Sequence, residues 1–423
     1  MTREDARFDA VFVGGGPRAV ATVVRLVDRL RDSGESTPVR VAIIDAVEIA
    51  AGATWRTDQP AEYLNNTTVA ATTIHPDAST RMTGPAAPGP TLADWITDVE
   101  AAGEHPFADW VIEEARGLRA AEFPTRRLQG VYYRDRLDSA IASGLVDVTE
   151  VLGTAVELVA RDDIRRVLLT DGSVYSAPII VLAQGMVQAQ PSLEVQALQR
   201  TAADHELTYI APGMPAEQPW ELVFPSAEIA PGETVLVRGL GANFFDVVGH
   251  LSRQWGGRFE PVDGDAFGRL RYVPSGREPK LVAGSRRGFP YRSKPDGDAD
   301  PAPFEPRYAT RAWFDELSEL EGLSLKHDVF PTLAAEFAHA HLAALERWSP
   351  GTLRSGWLER LDAASGLPEV EAVLESHVLG ERYRWLVDEL RRPTRGEHVG
   401  QERWRELVHR HVEDELGSMS LPS

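Results

Sequence analysis

The sequence predicts an α/β fold with two Rossmann-like units in succession and a helical C-terminal region. Three observations predict it. The run FDAVFVGGGPRAV ends an apolar strand in glycine and opens a helix. The run ETVLVRGLGANFF repeats that pattern roughly one domain later. After about Tyr308 the apolar spacing becomes helical, with Trp313, Phe314, Leu317 and Leu320 on one face and Trp404, Leu407, Val408 and His411 on another.

The elements follow in order. Phe8 to Val13 is a short apolar run, as a parallel strand buried on both faces requires. Arg18 to Leu30 is amphipathic, with Val20, Val23, Val24, Val27 and Leu30 near one face. VRVAII then forms a second strand ending at Asp45, which completes a βαβ unit with a right-handed crossover. Residues 50–90 are irregular, rich in Thr, Asn, Pro and Gly, and too long for an ordinary connection, so a functional loop is expected. Thr91 with Asp94 fits a loose capping box before TLADWITDVE. From Val146 to Val181 the pattern reads strand, strand, hairpin, strand, with Asp171-Gly172 as the tight turn. The last of these, Ile179–Ala183, is expected to return to the first sheet. Pro212 to Pro231 reads as a linker. Thr234 to Val237 opens the second unit, Lys280 to Ala283 is a later strand in it, and PYRSKPDGDADPAPFEP reads as a surface loop. The expected domains are 1–230, with an irregular loop and helical insertion at 50–130; 231–300; and a helical region, 301–423.

Composition narrows the function. The chain has 423 residues and is 43% hydrophobic, enough for a sizeable core. A net charge of −20 argues against nucleic acid, which needs a cationic footprint. The absence of cysteine excludes disulfides, thiolate metal sites and thiol redox chemistry. No apolar run approaches the ~18 residues of a membrane span. The N-terminus has no apolar signal region, so a cytoplasmic protein without a membrane partner is expected. Neighbouring histidines, His339 with His341 and His409 with His411, are two apart and face different directions on a helix, so no metal site is expected. No nucleophile–base constellation or G-x-S-x-G elbow is present, and the catalytic residues stay unassigned.

The glycine turns carry the chemistry. Gly14, Gly16 and Ala19 stand in G-x-G-x-x-A spacing. The first glycine permits the turn, the second lets a pyrophosphate approach the backbone, and Pro17 and Arg18 begin the helix whose free N–H groups face the phosphates. Asp45, 29 residues beyond Gly16, can accept from a ribose diol. An ordinary α/β turn is the rival reading. In the second unit Gly239 and Gly241 precede a helix starting near Asn243. Ser285, Arg286 and Arg287 end its later strand, and a hydroxyl with two guanidinium groups suits the 2′-phosphate of NADPH. The rival there is a solvated basic turn.

The first fingerprint, the later Asp-Gly hairpin and IIVLAQG together resemble two-dinucleotide flavoproteins of the glutathione-reductase type. Ala183, Gln184 and Gly185 stand where that group usually has Ala-Thr-Gly. More narrowly, TWRTDQPAEYLNNTT (Thr54–Thr68) resembles the flavin-side loop of a bacterial FAD/NAD(P)-binding family related to amino-acid N-hydroxylases. FPTRRLQGVYY resembles that family's Pro-x-Arg-x-Leu-x-Gly-x-Tyr segment, matched at Pro124, Arg126, Leu128, Gly130 and Tyr132. RGLGANFFD and SGREPKLVAGSRRGFPYR are the strongest matches. The resemblance implies bound FAD, an NADPH partner and, by analogy, N-oxygenation of a small substrate such as aspartate. It also implies flavin contacts from Trp55, Arg56, Asn65, Asn66 and Arg126. Trp55 packing on a core edge, with the asparagines satisfying loop backbone, is the alternative.

One feature of this flavoprotein fold is not visible: a late strand followed by Gly-Asp. The leading expectation is an FAD-dependent, NADPH-using monooxygenase, with the loop from Trp55 to Thr67 and the C-terminal helices as substrate wall. The alternatives are an NAD(P)H:acceptor reductase or oxidase, and a non-catalytic FAD-binding protein that needs a partner. An oligomer is possible.

Overall fold

A computed structural model describes residues 6–77, 80, 82–84, 87–101, 106–161, 163–186, 189–213, 229–263, 270–286, 288, 290 and 305–379. Two compact units emerge: residues 1–235, 242–260 and 272–281, and residues 236–241, 261–271 and 282–423.

The first unit is organised by a parallel sheet. Its strands are β2 (Ala10–Val13), β3 (Val39–Asp45), β4 (Val146–Leu152) and β8 (Ile179–Leu182), in spatial order β4-β3-β2-β8. Helix α1 (Pro17–Ser33) joins β2 to β3. Alternate residues of the central strands serve two cores. Ala10, Phe12, Val41 and Ile43 pack with Val20, Val23 and Val27 of α1. Val11, Ala42 and Ile44 pack with Val167, Leu169 and Ala177 of a second sheet. Both faces are therefore apolar, which is why VRVAII has no polar alternation.

The second sheet has the order β1-β7-β6-β5, from β1 (Ala6–Arg7), β5 (Ala155–Arg161), β6 (Ile164–Leu169) and β7 (Val174–Ala177). Asp171-Gly172 makes the expected turn between β6 and β7, with Gly172 at φ +82°. Strand β8 pairs parallel with β2 as expected, Ala10 opposite Ile179. Helices α2 (Leu92–Ala101), α3 (Asp109–Gly117) and α4 (Arg126–Ala142) cover the outer core. Asp94 accepts from Thr91 N and Oγ, and Asp94 N donates to Thr91 Oγ, so the capping box forms. Helix α5 (Leu193–Asp204) follows the sheet.

The second glycine turn follows β9 (Thr234–Arg238) and leads into α6 (Ala242–Gln254). Strands β10 (Arg258–Pro261) and β11 (Leu270–Val273) pair, and β12 (Lys280–Gly284) pairs with β9. The helical region contains α7 (Arg311–Ser318), a π-helical turn at Leu325–Val329, α8 (Phe330–Trp348), α9 (Trp357–Asp362) and α10 (Leu367–His377). Its core joins Ala338, Leu342, Trp357, Leu361 and Val373. The expected apolar face of α7 is corrected here: none of its residues is buried, and Phe314 is 47% exposed. Trp313 and Leu317 are half-buried, and neither joins the core that α8–α10 build among themselves. The face expected around Trp404 lies outside the described residues.

Glu336 anchors the start of this region. Its carboxylate accepts from the backbone N–H groups of Arg307, Tyr308 and Ala309. Burial pushes the Glu336 carboxyl up, but those donors and His339 outweigh it and hold the group below its usual range. No helix among the described residues is long and apolar enough to cross a membrane.

Candidate dinucleotide-binding site

The end of β2 is braced from three sides. Gly14 takes φ +100°, and a Cβ placed there would sit 2.4 Å from the Ala183 carbonyl carbon and oxygen and 2.6 Å from Gln184 Cα. The two glycine-bearing strand ends, Gly14 and Ala183–Gly185, thus meet backbone to backbone. Ala183 N donates to Val13 O at 2.7 Å and Gly14 N to Ile44 O at 2.8 Å. On the other side Ala50 N donates to Gly15 O at 2.8 Å. Gly52, at φ +62°, comes so near that a Cβ on it would lie 3.2 Å from Gly16 Cα.

Asp45 holds this turn closed. Its Oδ2 accepts from Gly15 N at 2.7 Å, and its Oδ1 accepts from Val47 N and Glu48 N. With two lone pairs on each oxygen, one acceptor position on Oδ2 remains for a ribose hydroxyl. The carboxylate therefore shapes the turn first.

The N-terminus of α1 fits an anion. Its N-cap is Gly16, no side chain among the described residues caps it, Pro17 stands in its first turn and no acid lies there. A dipole end with uncapped N–H groups, reached across glycine, is a ready phosphate site. Arg18 is exposed beside it.

The loop beyond β3 is seated by α4. Arg126, Gln129, Gly130 and Tyr133 lie on one face of that helix and all are buried. Gly130 is required: its Cβ would lie 1.9 Å from Trp55 O. Asn65 Nδ2 donates to Gln129 Oε1, and Gln129 Nε2 donates to Tyr133 Oη. Burial pushes the Tyr133 hydroxyl up to about 12. Trp55 meets Tyr133 edge to face, centroids 5.7 Å apart. Thr57 N and Oγ both donate to Glu48, which closes the loop onto the strand end.

Of the loop residues expected to touch a flavin, Asn65 is committed to Gln129, and Arg56 Nη1 pairs with Asp58 at 3.1 Å. Asn66 is exposed. Trp55 is half-buried and its Nε1 is buried without a hydrogen-bond partner among the described residues. An orphan buried donor is costly, so this indole N–H is suited to an acceptor on a bound cofactor.

Arg126 is 8% exposed and Asp246 6%. The two form an ion pair at 2.6 Å, while Arg126 Nε donates to Leu64 O at 3.2 Å. Burial raises the Asp246 carboxyl against the opposing effect of the guanidinium.

At the second turn Gly239 takes φ +117° with no described residue within 4 Å of a Cβ, and Gly239 N donates to Gly284 O at 2.8 Å. Gly241 and Asn243 are half-buried at the start of α6. Ser285 Oγ accepts from Gly288 N, and Arg286 is exposed. Arg287 lies outside the described residues. Sequence reasoning missed Glu48, Gly52, Gln129, Tyr133 and Asp246. Gln129 and Tyr133 could have been found from their helical spacing to Arg126; the other three depend on tertiary contacts.

A parallel strand ending in a braced glycine turn, an uncapped helix N-terminus and an acid on the next strand define a dinucleotide-binding protein. Residues 11–187 match the model of the FAD-NAD(P)-binding family. An L-aspartate N-monooxygenase (nitrosuccinate-forming) of Streptomyces davaonensis is 34% identical over 408 residues, covering 92% of this chain and 61% of the relative. A relative of the same name from Streptomyces cremeus is 34% identical, covering 78% of this chain and 50% of its own. Nitrosuccinic acid synthase npaA of Aspergillus oryzae is 30% identical, covering 97% and 61%. The chain thus spans between half and about three-fifths of the length of these relatives.

Proposed function

We propose that this chain is an FAD-dependent, NADPH-using monooxygenase that oxygenates the amino group of a small amino acid, with L-aspartate as the first candidate. The single observation that carries the cofactor assignment is the Gly14–Gly16–Gly52 cradle at an uncapped helix N-terminus. The substrate follows from relatives named for L-aspartate, at 34% identity over 92% of the chain.

In this reading residues 1–230 hold FAD, residues 231–300 hold NADPH, and residues 301–423 form the helical region. Gly14, Gly16 and the first turn of α1, with Pro17 and Arg18, hold the FAD pyrophosphate. The remaining lone pair of Asp45 takes a ribose hydroxyl. The Trp55 indole N–H donates to the flavin, with Asn65 held in place by Gln129. Ala183, Gln184 and Gly185 line its far side. Gly239, Gly241 and Asn243 receive the NADPH pyrophosphate, and Ser285, Arg286 and Arg287 its 2′-phosphate. Bound FAD supplies two-electron acceptance and reactivity toward O₂, and the protein orients and shields it.

The test is an anaerobic absorbance scan of purified protein before and after NADPH. Flavin bands that bleach, then return on admitting air with L-aspartate and stoichiometric N-oxygenated product, support the proposal. Bleaching followed only by peroxide points to an oxidase or reductase. A yellow protein that NADPH never bleaches points to a binding protein that needs a partner.

A further inference from the structure

Helix α6 carries a polar face that the cofactor assignments leave unused. Asp246, Gly249, His250 and Arg253 stand at i, i+3, i+4 and i+7, so they share one side. Opposite lie Glu62, Tyr63 and Arg126. Arg253 Nε is 3.3 Å from Glu62 Oε1, and His250 Nδ1 is 3.9 Å from Glu62 Oε2. The His250 and Tyr63 rings lie 5.9 Å apart. At Gly249 a Cβ would fall 3.5 Å from Glu62. Arg126 ties the other end: Arg126 N donates to Tyr63 O at 2.8 Å, Nε to Leu64 O and Nη2 to Asp246.

Two opposite charges buried together are no better than an apolar pair at holding a helix down. What they add is direction. A planar guanidinium shared between the Leu64 carbonyl and Asp246 admits one setting of α6 about its axis and along it. The N-terminus of α6 is also the end that the second glycine turn feeds, where an anionic nucleotide would sit.

We propose that Arg126 and Asp246 are positioning residues for hydride transfer, with Glu62 and Arg253 fastening the far end of α6. This rests on the two-cofactor reading above. In that transfer NADPH gives up one hydrogen with two electrons, becoming NADP⁺, and FAD takes them up. The seam supplies neither; it fixes where the nicotinamide nucleotide is presented.

The test combines amide hydrogen exchange with anaerobic stopped-flow reduction on Asp246→Asn, Asp246→Glu and Glu62→Gln. In Asp246→Asn, exchange along residues 242–254 rises, and bleaching per bound flavin slows by about tenfold or more, as misplacement by an ångström does. Flavin content holds, NADPH affinity changes little, and Asp246→Glu recovers part of the rate. The double variant R126Q/D246N is no slower than Asp246→Asn alone, because the two act as a unit. A lower melting temperature with unchanged bleaching per bound flavin overturns the positioning role and leaves a structural one. Should Asp246→Asn fail to fold, Glu62→Gln carries the same comparison at the other end, and an unaltered rate there overturns the proposal. A wild-type flavin that NADPH does not bleach sinks the functional reading and the positioning role with it. Unchanged exchange in α6 of the variants sinks the seam by itself.

Discussion

The two glycine turns share a sequence pattern and differ in construction. At the first, the backbone is crowded: Ala183 and Gln184 stand where a Gly14 Cβ would go, Gly16 Cα lies 3.2 Å from where a Gly52 Cβ would go, and Asp45 collects three backbone N–H groups. At the second, Gly239 keeps an unusual φ of +117° but meets none of the described residues where its Cβ would be, and Leu236 of β9 is 78% exposed. Glycine is needed at the first for room and for backbone angle together, and at the second for angle alone. A cradle that retains its nucleotide through turnover suits the first construction. One that exchanges its nucleotide every cycle suits the second.

This contrast can be broken by substitution. Gly14→Ala is expected to have the largest effect, because it adds backbone strain to a clash with main chain that cannot move aside. About 2–6 kcal/mol of stability should be lost, the sum of the usual overpacking and strain costs. Denaturant unfolding should detect it together with loss of retained flavin, and a wild-type midpoint would refute the crowded geometry. Asp45→Ala comes next. Leaving backbone donors without their acceptor should cost roughly 1–3 kcal/mol, and flavin retention should fall with stability.

Arg286→Ala should leave stability untouched and weaken NADPH by about 1–3 kcal/mol, or roughly 5- to 150-fold in Kd, if it meets the 2′-phosphate. NADH affinity measured alongside should stay constant, and a parallel loss for both nucleotides would remove Arg286 from that role. The mildest is Gly239→Ala, where strain of about 1–2 kcal/mol acts without a clash. A flavin lost as readily as in Gly14→Ala would erase the difference between the turns.

Much of the fold was legible because its signals are local. The central strands are apolar on both faces, Asp171-Gly172 marks a hairpin and Thr91 with Asp94 marks a helix start; each appears where the sequence places it. Glycine spacing located both turns for the same reason. The site beyond the turns was less legible. Asp45 reads as a ribose acceptor, yet most of its capacity goes to the backbone around it, a demand that appears only once Gly15 and Glu48 are brought near. Arg126 was found through resemblance, but its partner lies 120 residues away and no periodicity connects them. The stripe on α7 misled because amphipathic spacing reveals which side of a helix is apolar, not whether anything covers it.

Strand β8 ends its sheet among the described residues, with Ile179 58% and Leu182 62% exposed. A sheet edge with no further strand among the described residues invites a stray strand from a neighbouring molecule. Its brevity, four residues, limits the grip, and a charge of −20 keeps like molecules apart in dilute buffer. Concentrated salt screens that repulsion. Light scattering should therefore report self-association that grows with ionic strength, and low salt should limit it.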